Sequence, residues 1–167
     1  MNYEIVDNFL EKKYFKEIKD IITSTNFKWS CSNVVNRKLD DYSSAITSSY
    51  YFAENIYDEH SFAFNNHYPI FRDLLNNIKC KSLMRIKANL YPSTKTVEYH
   101  NNHIDYDFSH KGMLIFLNTN DGYTVLDEKI FVESIENRVL FFDPSIRHKS
   151  STCTNDKFRL TINVNYF

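Results

Sequence analysis

The stretch from Leu83 to Tyr91, LMRIKANLY, decides the fold because apolar and polar residues alternate along it. Successive side chains of a β-strand point to opposite faces, so this alternation predicts a strand with one apolar and one polar face. The apolar face, which we expect to pack against helices, comprises Met84, Ile86, Ala88 and Leu90. The polar face, which we expect to line a barrel interior, comprises Arg85, Lys87, Asn89 and Tyr91.

The end of the chain repeats this pattern. One face of a predicted last strand carries Leu160, Ile162 and Val164, and the other carries Arg159, Thr161 and Asn163. Polar interior faces are unusual in the core of a plain β-sandwich, because a buried polar group needs a partner. They are expected where the interior is a ligand site.

Short apolar runs between these two segments predict further strands. They cover residues 113–117, 123–126, 129–132 and 139–142 and the neighbourhood of His148. Asp121-Gly122 is typical of a hairpin turn. Many short strands after leading helices favour a mainly β, α+β fold. We expect a double-stranded β-helix (jelly roll) with N-terminal helices packed on one sheet.

The first half of the chain predicts the helices that support this sheet. A helix from about Leu10 to Thr23, capped by Asp7 or Asn8, carries an apolar stripe at helical spacing. The stripe comprises Leu10, Tyr14, Ile18, Ile21 and Ile22. A second helix is expected from Tyr68 to Ile78, with Pro69 in its first turn.

Two segments between the predicted helices lack helical spacing. Tyr50 to Phe52 predicts a strand, and the polar, weakly patterned Ser32 to Ser49 predicts a loop. We interpret this loop as a mobile cover over the barrel mouth, because loops on a rigid scaffold often contact substrate.

Length and composition limit the class of protein. The 167 residues predict a single domain, with helical support and a variable loop over about 1–82 and the jelly-roll core over about 83–167. A net charge of −1 does not favour a nucleic-acid or membrane partner. No apolar run approaches the ~20 residues of a membrane span. Three scattered cysteines indicate reduced thiols in a cytoplasmic protein, and only two glycines mean that turns must use Asn, Asp and Ser.

His103, Asp105 and His148 form the strongest candidate site. Residues i and i+2 of an extended strand point to the same side, so His103 and Asp105 can reach one ion, while His148 must arrive on another strand. Two imidazoles and one carboxylate leave other metal positions open, as non-heme Fe(II) oxygenases require, although Zn, Co and Ni also fit. Arg159 follows His148 by eleven positions, enough for a strand, a turn and the start of the next strand. There its planar fork would suit a carboxylate beside the metal.

Other titratable residues are weaker candidates for metal ligands. On a strand, His100 and His103 would face opposite sides, and the spacing of Asp107 does not converge with His103. His110 is expected in a loop at the barrel mouth, facing substrate or solvent. Packing or surface positions are expected for His60 and His67.

Two interior cations have two interpretations. Arg85 and Lys87 share the polar face of their strand, so they either reach substrate or cosubstrate or lie in water at the barrel mouth. The aromatic stretch from Tyr50 to Phe71 favours core packing over base stacking, because Lys and Arg are not interleaved with its rings.

The ordered set of motifs resembles the catalytic core of the 2-oxoglutarate/Fe(II)-dependent oxygenases, and among them the small prolyl-4-hydroxylase-like branch of bacteria and phages. The resemblance covers residues 85–167, and the opening Ile5 to Leu10 also resembles the start of that branch. Its motifs are Asn89-Leu90-Tyr91-Pro92, His103-Ile104-Asp105, Leu117 to Thr124, Phe142-Asp143-Pro144 before His148, and Arg159-Leu160-Thr161.

The resemblance implies an Fe(II)- and 2-oxoglutarate-dependent dioxygenase that consumes O2, hydroxylates a substrate and releases succinate and CO2. The metal ligands that it implies are His103, Asp105 and His148. The cosubstrate contacts that it implies are Arg159 and Thr161, with Tyr91 and Asn89 as further candidates. The branch suggests a peptidyl target such as proline, and the choice between a peptide, a protein and a small molecule stays open.

Two other classes of protein share this kind of scaffold. A jelly-roll binding module could keep a metal or sugar pocket without oxidation chemistry, but it would be expected to lack a ligand or Arg159. A cupin-like isomerase or metal hydrolase could use the same triad, but it has no need of the Arg-x-Thr pair. Within the oxygenases, the alternative is a small-molecule hydroxylase.

Overall fold

The computed structural model describes residues 2–33, 50–61 and 63–167. These residues form eleven β-strands, two α-helices and the segments that connect them. The strands are β1 (Glu4–Val6), β2 (Ser30–Asn33), β3 (Tyr50–Asp58), β4 (Ala63–Phe64), β5 (Leu83–Pro92), β6 (Lys111–Phe116), β7 (Asn120–Leu126), β8 (Ile130–Ser134), β9 (Val139–Phe142), β10 (His148–Ser150) and β11 (Phe158–Tyr166). The helices are α1 (Lys12–Ile22) and α2 (Arg72–Asn77), and a 3-10 turn over Tyr68–Phe71 precedes α2.

The strands form two antiparallel sheets. The large sheet has the order β1-β9-β6-β11-β5-β3-β2, with β4 paired to β3, and the small sheet has the order β10-β7-β8. Six buried apolar side chains from both sheets pack together: Leu114, Phe116, Leu126, Val132, Leu140 and Phe142. The predicted mainly β jelly roll is confirmed.

The other face of the large sheet packs against the helices. Ile86 and Ala88 of β5 and Ile162 of β11 share a buried cluster with Ile18 of α1 and Leu74 of α2. The alternation along β5 and β11 therefore separates a helix-packed face from an interior face, as the sequence predicted.

The N-terminal helix begins later than predicted. It starts at Lys12, and the Glu11 carboxylate, rather than Asp7 or Asn8, accepts a hydrogen bond from the Tyr14 N–H. Asn8 has a φ of 52° in the left-handed region, which turns the chain before the helix. Leu10 is buried ahead of the helix, and its N–H donates to Asn137 Oδ1 at 3.0 Å.

The remaining N-terminal predictions are confirmed only in part. Pro69 lies at the start of the 3-10 turn, and the α-helical portion of the predicted second helix ends at Asn77. The strand predicted over Tyr50 to Phe52 continues to Asp58 and pairs with β5. Ser32 and Asn33 belong to β2, so the predicted loop starts too early, and residues 34–49 lie outside the described part. The N-terminal portion thus adds strands as well as helices to the fold.

The hairpin prediction at Asp121-Gly122 is wrong. Both residues lie inside β7, at an irregularity between Asn120 and Tyr123. The turn that joins β7 to β8 is at Asp127 and Glu128, with φ values of 47° and 56°. Positive φ at both central residues matches the right-handed twist of the strands, and it normally favours Asn-Gly or Asp-Gly. The prediction followed the one Asp-Gly pair in the sequence, whereas the turn at Asp127 and Glu128 contains no glycine.

Two further expectations from the sequence concern the cysteines and possible membrane spans. Cys31, Cys80 and Cys153 are free, as predicted. Among the helices that the structure describes, none is long and apolar enough to cross a membrane.

Candidate functional site

A cavity of about 280 Å³ lies between the two sheets. The large sheet contributes the polar faces of β5 and β11, and the small sheet contributes Thr124 and His148. All seven predicted site residues line it: Asn89, Tyr91, His103, Asp105, His148, Arg159 and Thr161. The interior position predicted from strand alternation is therefore the position that the fold produces.

His103, Asp105 and His148 converge in this cavity. Their candidate ligand atoms all lie within 4.8 Å of one another. The two histidines are held by reciprocal backbone hydrogen bonds, His103 N to His148 O and His148 N to His103 O, both 2.9 Å. This bridge fixes the position of His103 against β10.

The His-x-Asp segment is not a regular strand, contrary to the expectation. Residues 101–109 contain only the isolated bridge at His103, and Asp105 follows in a bend. The Asp105 N–H donates to Pro144 O at 2.9 Å, which ties the segment to the turn before His148. Individual backbone hydrogen bonds, rather than a regular strand, bring the His103 and Asp105 side chains together.

Each imidazole has a backbone partner at Nδ1. His148 Nδ1 lies 2.9 Å from Ile146 O, and His103 Nδ1 lies 3.3 Å from Asn101 O. In the tautomer in which Nδ1 donates to the carbonyl, Nε2 keeps its lone pair for a metal. The backbone therefore favours the ligand-competent tautomer.

The charges of the triad suit metal binding. Burial, reinforced by the nearby His148, lowers the pKa of His103 to about 4, so this imidazole is neutral at pH 7. Burial opposes ionisation of Asp105, but Arg85, His148 and two amide donors outweigh it and hold the pKa of this carboxyl below its usual range. Neutral imidazole and ionised carboxylate are the forms that bind a metal.

Three residues that the sequence interpretation did not assign to the metal site support Asp105. Arg85 Nη2 lies 3.1 Å from Asp105 Oδ1, and Oδ2 accepts from Asn163 Nδ2 at 2.8 Å and Asn165 Nδ2 at 3.0 Å. Strand alternation in the sequence could have indicated these residues. It places Arg85 on the same face of β5 as Lys87, and Asn163 and Asn165 on the same face of β11 as Arg159. Such contacts orient a carboxylate ligand.

Arg159 is fully buried at the other end of the cavity. Its Nε donates to Ser134 Oγ at 2.6 Å, and its Nη2 donates to Thr124 Oγ1 at 2.7 Å. Nη1 has no hydrogen-bond partner, and no ion pair joins Arg159 to a carboxylate in the described part of the chain. Burial lowers its pKa to about 10, so the group stays charged at pH 7.

Tyr91 lies beside this guanidinium, and Asn89 and Thr161 line the same cavity. The Tyr91 ring centre is 5.4 Å from Arg159 Cζ, and Tyr91 is paired with Arg159 across β5 and β11. Thr161 and Asn89 form the next cross-strand pair on the cavity face, and both are buried. Their place agrees with the predicted cosubstrate contacts, and their roles stay predictions.

His100 lines the same cavity, so the expectation that it faces away from His103 is wrong. The irregular chain after β5 does not keep strand alternation, which is why the spacing argument failed. Its ring lies 5.0 Å from that of Tyr91, and Nδ1 shares a 2.6 Å hydrogen bond with Ser150 Oγ. Burial, with Arg159 nearby, lowers its pKa to about 4. His100 is not among the clustered metal-ligand atoms.

The other histidines lie away from the cavity lining. His110 is buried against Tyr106 and Phe108, which corrects the expectation that it faces substrate or solvent. His67 stacks on Phe27, in the packing role predicted for it.

The residues present fit a metal and a dicarboxylate. The triad supplies the nitrogen and oxygen donors that Fe(II) accepts and leaves other positions open. Arg159 Nη1 is a buried donor with no acceptor in residues 2–33, 50–61 and 63–167, and a carboxylate would supply one. Both features lie in one cavity.

Solved structures share this architecture at low sequence identity. An oxidoreductase of the 2OG-Fe(II) oxygenase family from Burkholderia pseudomallei matches with a TM-score of 0.73 and 11% identity, covering 98% of this chain and 84% of that one. A Pseudomonas putida prolyl-4-hydroxylase matches with a TM-score of 0.67 and 11% identity, covering 98% and 91%. A Trichoplax adhaerens prolyl hydroxylase, in complex with a hypoxia-inducible-factor peptide, matches with a TM-score of 0.63 and 17% identity, covering 99% and 83%.

Sequence comparison gives no such match. No protein-family model matches the chain, and no curated protein matches it. The sheet order, the helices on one face and the structural matches together lead to one conclusion: this chain has the fold of the 2-oxoglutarate/Fe(II) oxygenases, which bacterial and other prolyl hydroxylases share.

Proposed function

We propose that this chain is an Fe(II)- and 2-oxoglutarate-dependent dioxygenase that hydroxylates a substrate and releases succinate and CO2. The observation that carries the proposal is that one cavity holds the clustered His103, Asp105 and His148 together with a buried Arg159 that has no carboxylate partner in the described part of the chain. A metal site alone would fit many activities, whereas the arginine specifies a carboxylate beside it.

The residues of the triad would hold the metal. His103 and His148 would present Nε2, and Asp105 would present a carboxylate oxygen. The chemistry that Fe(II) supplies when bound is activation of O2 coupled to decarboxylation of the 2-oxo acid. Arg85, Asn163 and Asn165 would fix the orientation of the carboxylate ligand.

The residues around Arg159 would hold 2-oxoglutarate. Hydrogen bonds to Ser134 and Thr124 fix the plane of the Arg159 guanidinium. Thr161, on β11 like Arg159, adds a hydroxyl to the cavity. The Tyr91 and Phe116 rings lie 5.4 and 5.5 Å from Arg159 Cζ. These rings exclude water from the guanidinium, which strengthens its attraction for the distal carboxylate.

Anaerobic reconstitution tests this proposal directly. Fe(II) plus 2-oxoglutarate should give a weak visible metal-to-ligand charge-transfer band, because the oxo acid chelates a metal that has open positions. His103→Ala, Asp105→Ala and His148→Ala should each lose the band, whereas His60→Ala, an exposed histidine outside the cavity, should keep it. A folded, iron-loaded wild-type protein without the band contradicts the proposal.

The target of hydroxylation is a separate question. The prolyl hydroxylases among the structural matches support a peptidyl proline as one candidate. The alternative is a small molecule, and an epimerase from nogalamycin biosynthesis has a similar fold, with a TM-score of 0.63 at 10% identity.

We further propose that the chain acts as one domain in the cytoplasm. The free thiols of Cys31, Cys80 and Cys153 support a reducing compartment.

A further inference from the structure

Lys87 is a second interior cation without a carboxylate partner. It lines the cavity on the polar face of β5, and its ammonium donates to the Tyr51 hydroxyl at 2.9 Å. It also lies 5.1 Å from the centre of the Tyr51 ring. Within the described ranges no acidic side chain forms an ion pair with it, and desolvation lowers its pKa. An ammonium has three donors, so two remain for other partners.

The charges that line the cavity are unbalanced. Asp105 is the one acidic residue among its described lining residues, and Arg85 already contacts it. Under the proposed function, the distal carboxylate of 2-oxoglutarate satisfies Arg159 and the proximal carboxylate satisfies the metal. Among the described residues Lys87 then still forms no ion pair, since Asp105 and Asp58 act on it only from a greater distance. A desolvated cation favours an anion in direct contact with it.

Lys87 and Arg159 occupy different ends of the cavity. Across β5 and β11, Arg159 pairs with Tyr91 and Asn163 pairs with Lys87, four residues farther along β11. Four residues of β11 place these backbone positions about 13 Å apart, at roughly 3.3 Å per residue. Asn163 also donates to Asp105, which places Lys87 at the metal end of the cavity.

The two ends also differ in exposure. Arg159, Thr161 and Asn89 are buried, whereas Lys87 and Arg85 are partly exposed. The buried end suits the small cosubstrate that Arg159 would hold, and the more open end suits entry of the primary substrate.

We infer that Lys87, backed by the Tyr51 hydroxyl, binds a carboxylate of the primary substrate, so that the molecule hydroxylated carries an acidic group. The inference rests on the proposed function and assigns the substrate class for the same site. The carboxylate belongs either to a free acid or to an acidic side chain in a peptide, and both would meet the same ammonium.

Binding of matched acids and amides tests this without turnover. The protein is loaded with Zn(II), which does not support oxidation, and with saturating 2-oxoglutarate. Acetate, propanoate and benzoate are each compared with their amides by ligand-observed NMR. Charge-assisted hydrogen bonds predict about tenfold tighter binding of the acids. Lys87→Met should remove this preference, and Lys87→Arg should keep part of it.

The matched control is Lys111→Met. Lys111 also lies over a tyrosine ring, Tyr166, but it does not line the cavity, so the preference for acids should persist in this variant. In wild type labelled with ¹³C at lysine Cε, the acids should shift one signal saturably, and Lys87→Arg should lack that signal. This arm remains decisive if Lys87→Met does not fold.

N-acetyl-aspartyl-N-methylamide and its asparaginyl analogue distinguish the two sources of the carboxylate. Tighter binding of the aspartyl compound than of the free acids identifies a peptide, and the reverse order identifies a free acid. Equal binding of acids and amides to wild type overturns the inference. A roughly tenfold loss of 2-oxoglutarate affinity in Lys87→Met, with the preference for acids intact, also overturns it and assigns Lys87 to the cosubstrate. Loss of the charge-transfer band in wild type would instead overturn the proposed function.

Discussion

The burial of Arg159 needs an explanation, because a guanidinium with no exposed surface normally has a carboxylate partner. Hydroxyls accept hydrogen bonds from two of its nitrogens, and Nη1 has no partner among the described residues. Such an arrangement is stable when a ligand completes it. The residue therefore carries a prediction about affinity.

Replacing Arg159 should weaken 2-oxoglutarate binding while metal binding stays nearly unchanged. A hydrogen bond to a charged group contributes about 1.5–3 kcal/mol, so Arg159→Ala should raise the dissociation constant roughly ten- to a hundredfold. Arg159→Lys should recover only part of this, because an ammonium lacks the planar fork. Calorimetric titration of the Zn(II)-loaded variants measures both constants. Equal affinity in wild type and Arg159→Ala contradicts the assignment.

Gly122 is needed because β7 passes directly over Arg159. A Cβ at this position would lie 2.6 Å from Arg159 Cδ and 2.6 Å from Thr152 O. Gly122→Ala should therefore displace the guanidinium, destabilise the fold by about 1–3 kcal/mol and weaken 2-oxoglutarate binding. Urea unfolding and calorimetry measure these effects. In an Arg159→Ala background the further loss of affinity should disappear, and a full additive loss there would contradict the steric explanation.

His100 should make the metal-free protein sensitive to acid. Its pKa is lowered to about 4 in the folded state, whereas the unfolded imidazole titrates near 6.5. The unfolded state therefore binds a proton first, and stability is lost as the pH falls from about 6.5 to about 4. His100→Gln should reduce this loss, measured as urea midpoints at pH 7.5 and pH 5. The same fall in both proteins would show that burial of His100 does not contribute.

At the scale of elements, β5 and β11 form the frame of the site. They pair over nine residue positions, and each has one face on the helices and one in the cavity. Their register places Arg159 against Tyr91 at one end and Asn165 against Arg85 at the other. A one-residue slip would move every polar side chain to the helix-packed face, so burial of the apolar face enforces the register.

The β7–β8 turn contains a residue whose replacement by glycine should stabilise the fold. Glu128 has a φ of 56°, a conformation that costs an L-residue roughly 1 kcal/mol. Glu128→Gly should therefore raise the free energy of unfolding by about 0.5–1 kcal/mol. Lys129→Gly, in the same turn without a positive φ, should lower stability instead. Thermal unfolding of the two variants decides, and a lower melting temperature for Glu128→Gly would contradict the assigned turn.

At the scale of the whole molecule, the large sheet separates two apolar regions. One lies between the large sheet and the helices, and the other lies between the two sheets. Polar residues of the site occupy the interval between the sheets, where a plain sandwich would be apolar. Ligand binding should therefore stabilise the whole fold.

Zn(II) and 2-oxoglutarate together should raise the melting temperature. Ligand at a hundred times its dissociation constant adds about 2.7 kcal/mol of stability. For a chain of this length that corresponds to a rise of roughly 5–10 °C. Asp105→Ala should lose the rise, because the metal and the oxo acid that chelates it would both dissociate. Differential scanning calorimetry makes the measurement, and an unchanged rise in Asp105→Ala would contradict a shared site.

The sequence by itself determined the two strands whose alternation makes the site, and the residues on their interior faces. Asn89, Tyr91, Arg159 and Thr161 were predictable because strand alternation is a local property of the backbone. The jelly-roll class was predictable for the same reason, from many short strands after leading helices. The metal roles of His103, Asp105 and His148 and the cosubstrate role of Arg159 stay predictions until they are measured.

Only the tertiary structure decided how the irregular segments meet the sheets. His100 enters the cavity and His110 does not, although neither lies on a strand whose alternation could be counted. The bridge between His103 and His148, the Arg85 contact with Asp105 and the close pass of Gly122 over Arg159 all join residues distant in sequence. Such contacts depend on the packing of whole sheets, which no local pattern encodes, and that packing sets the geometry of the site.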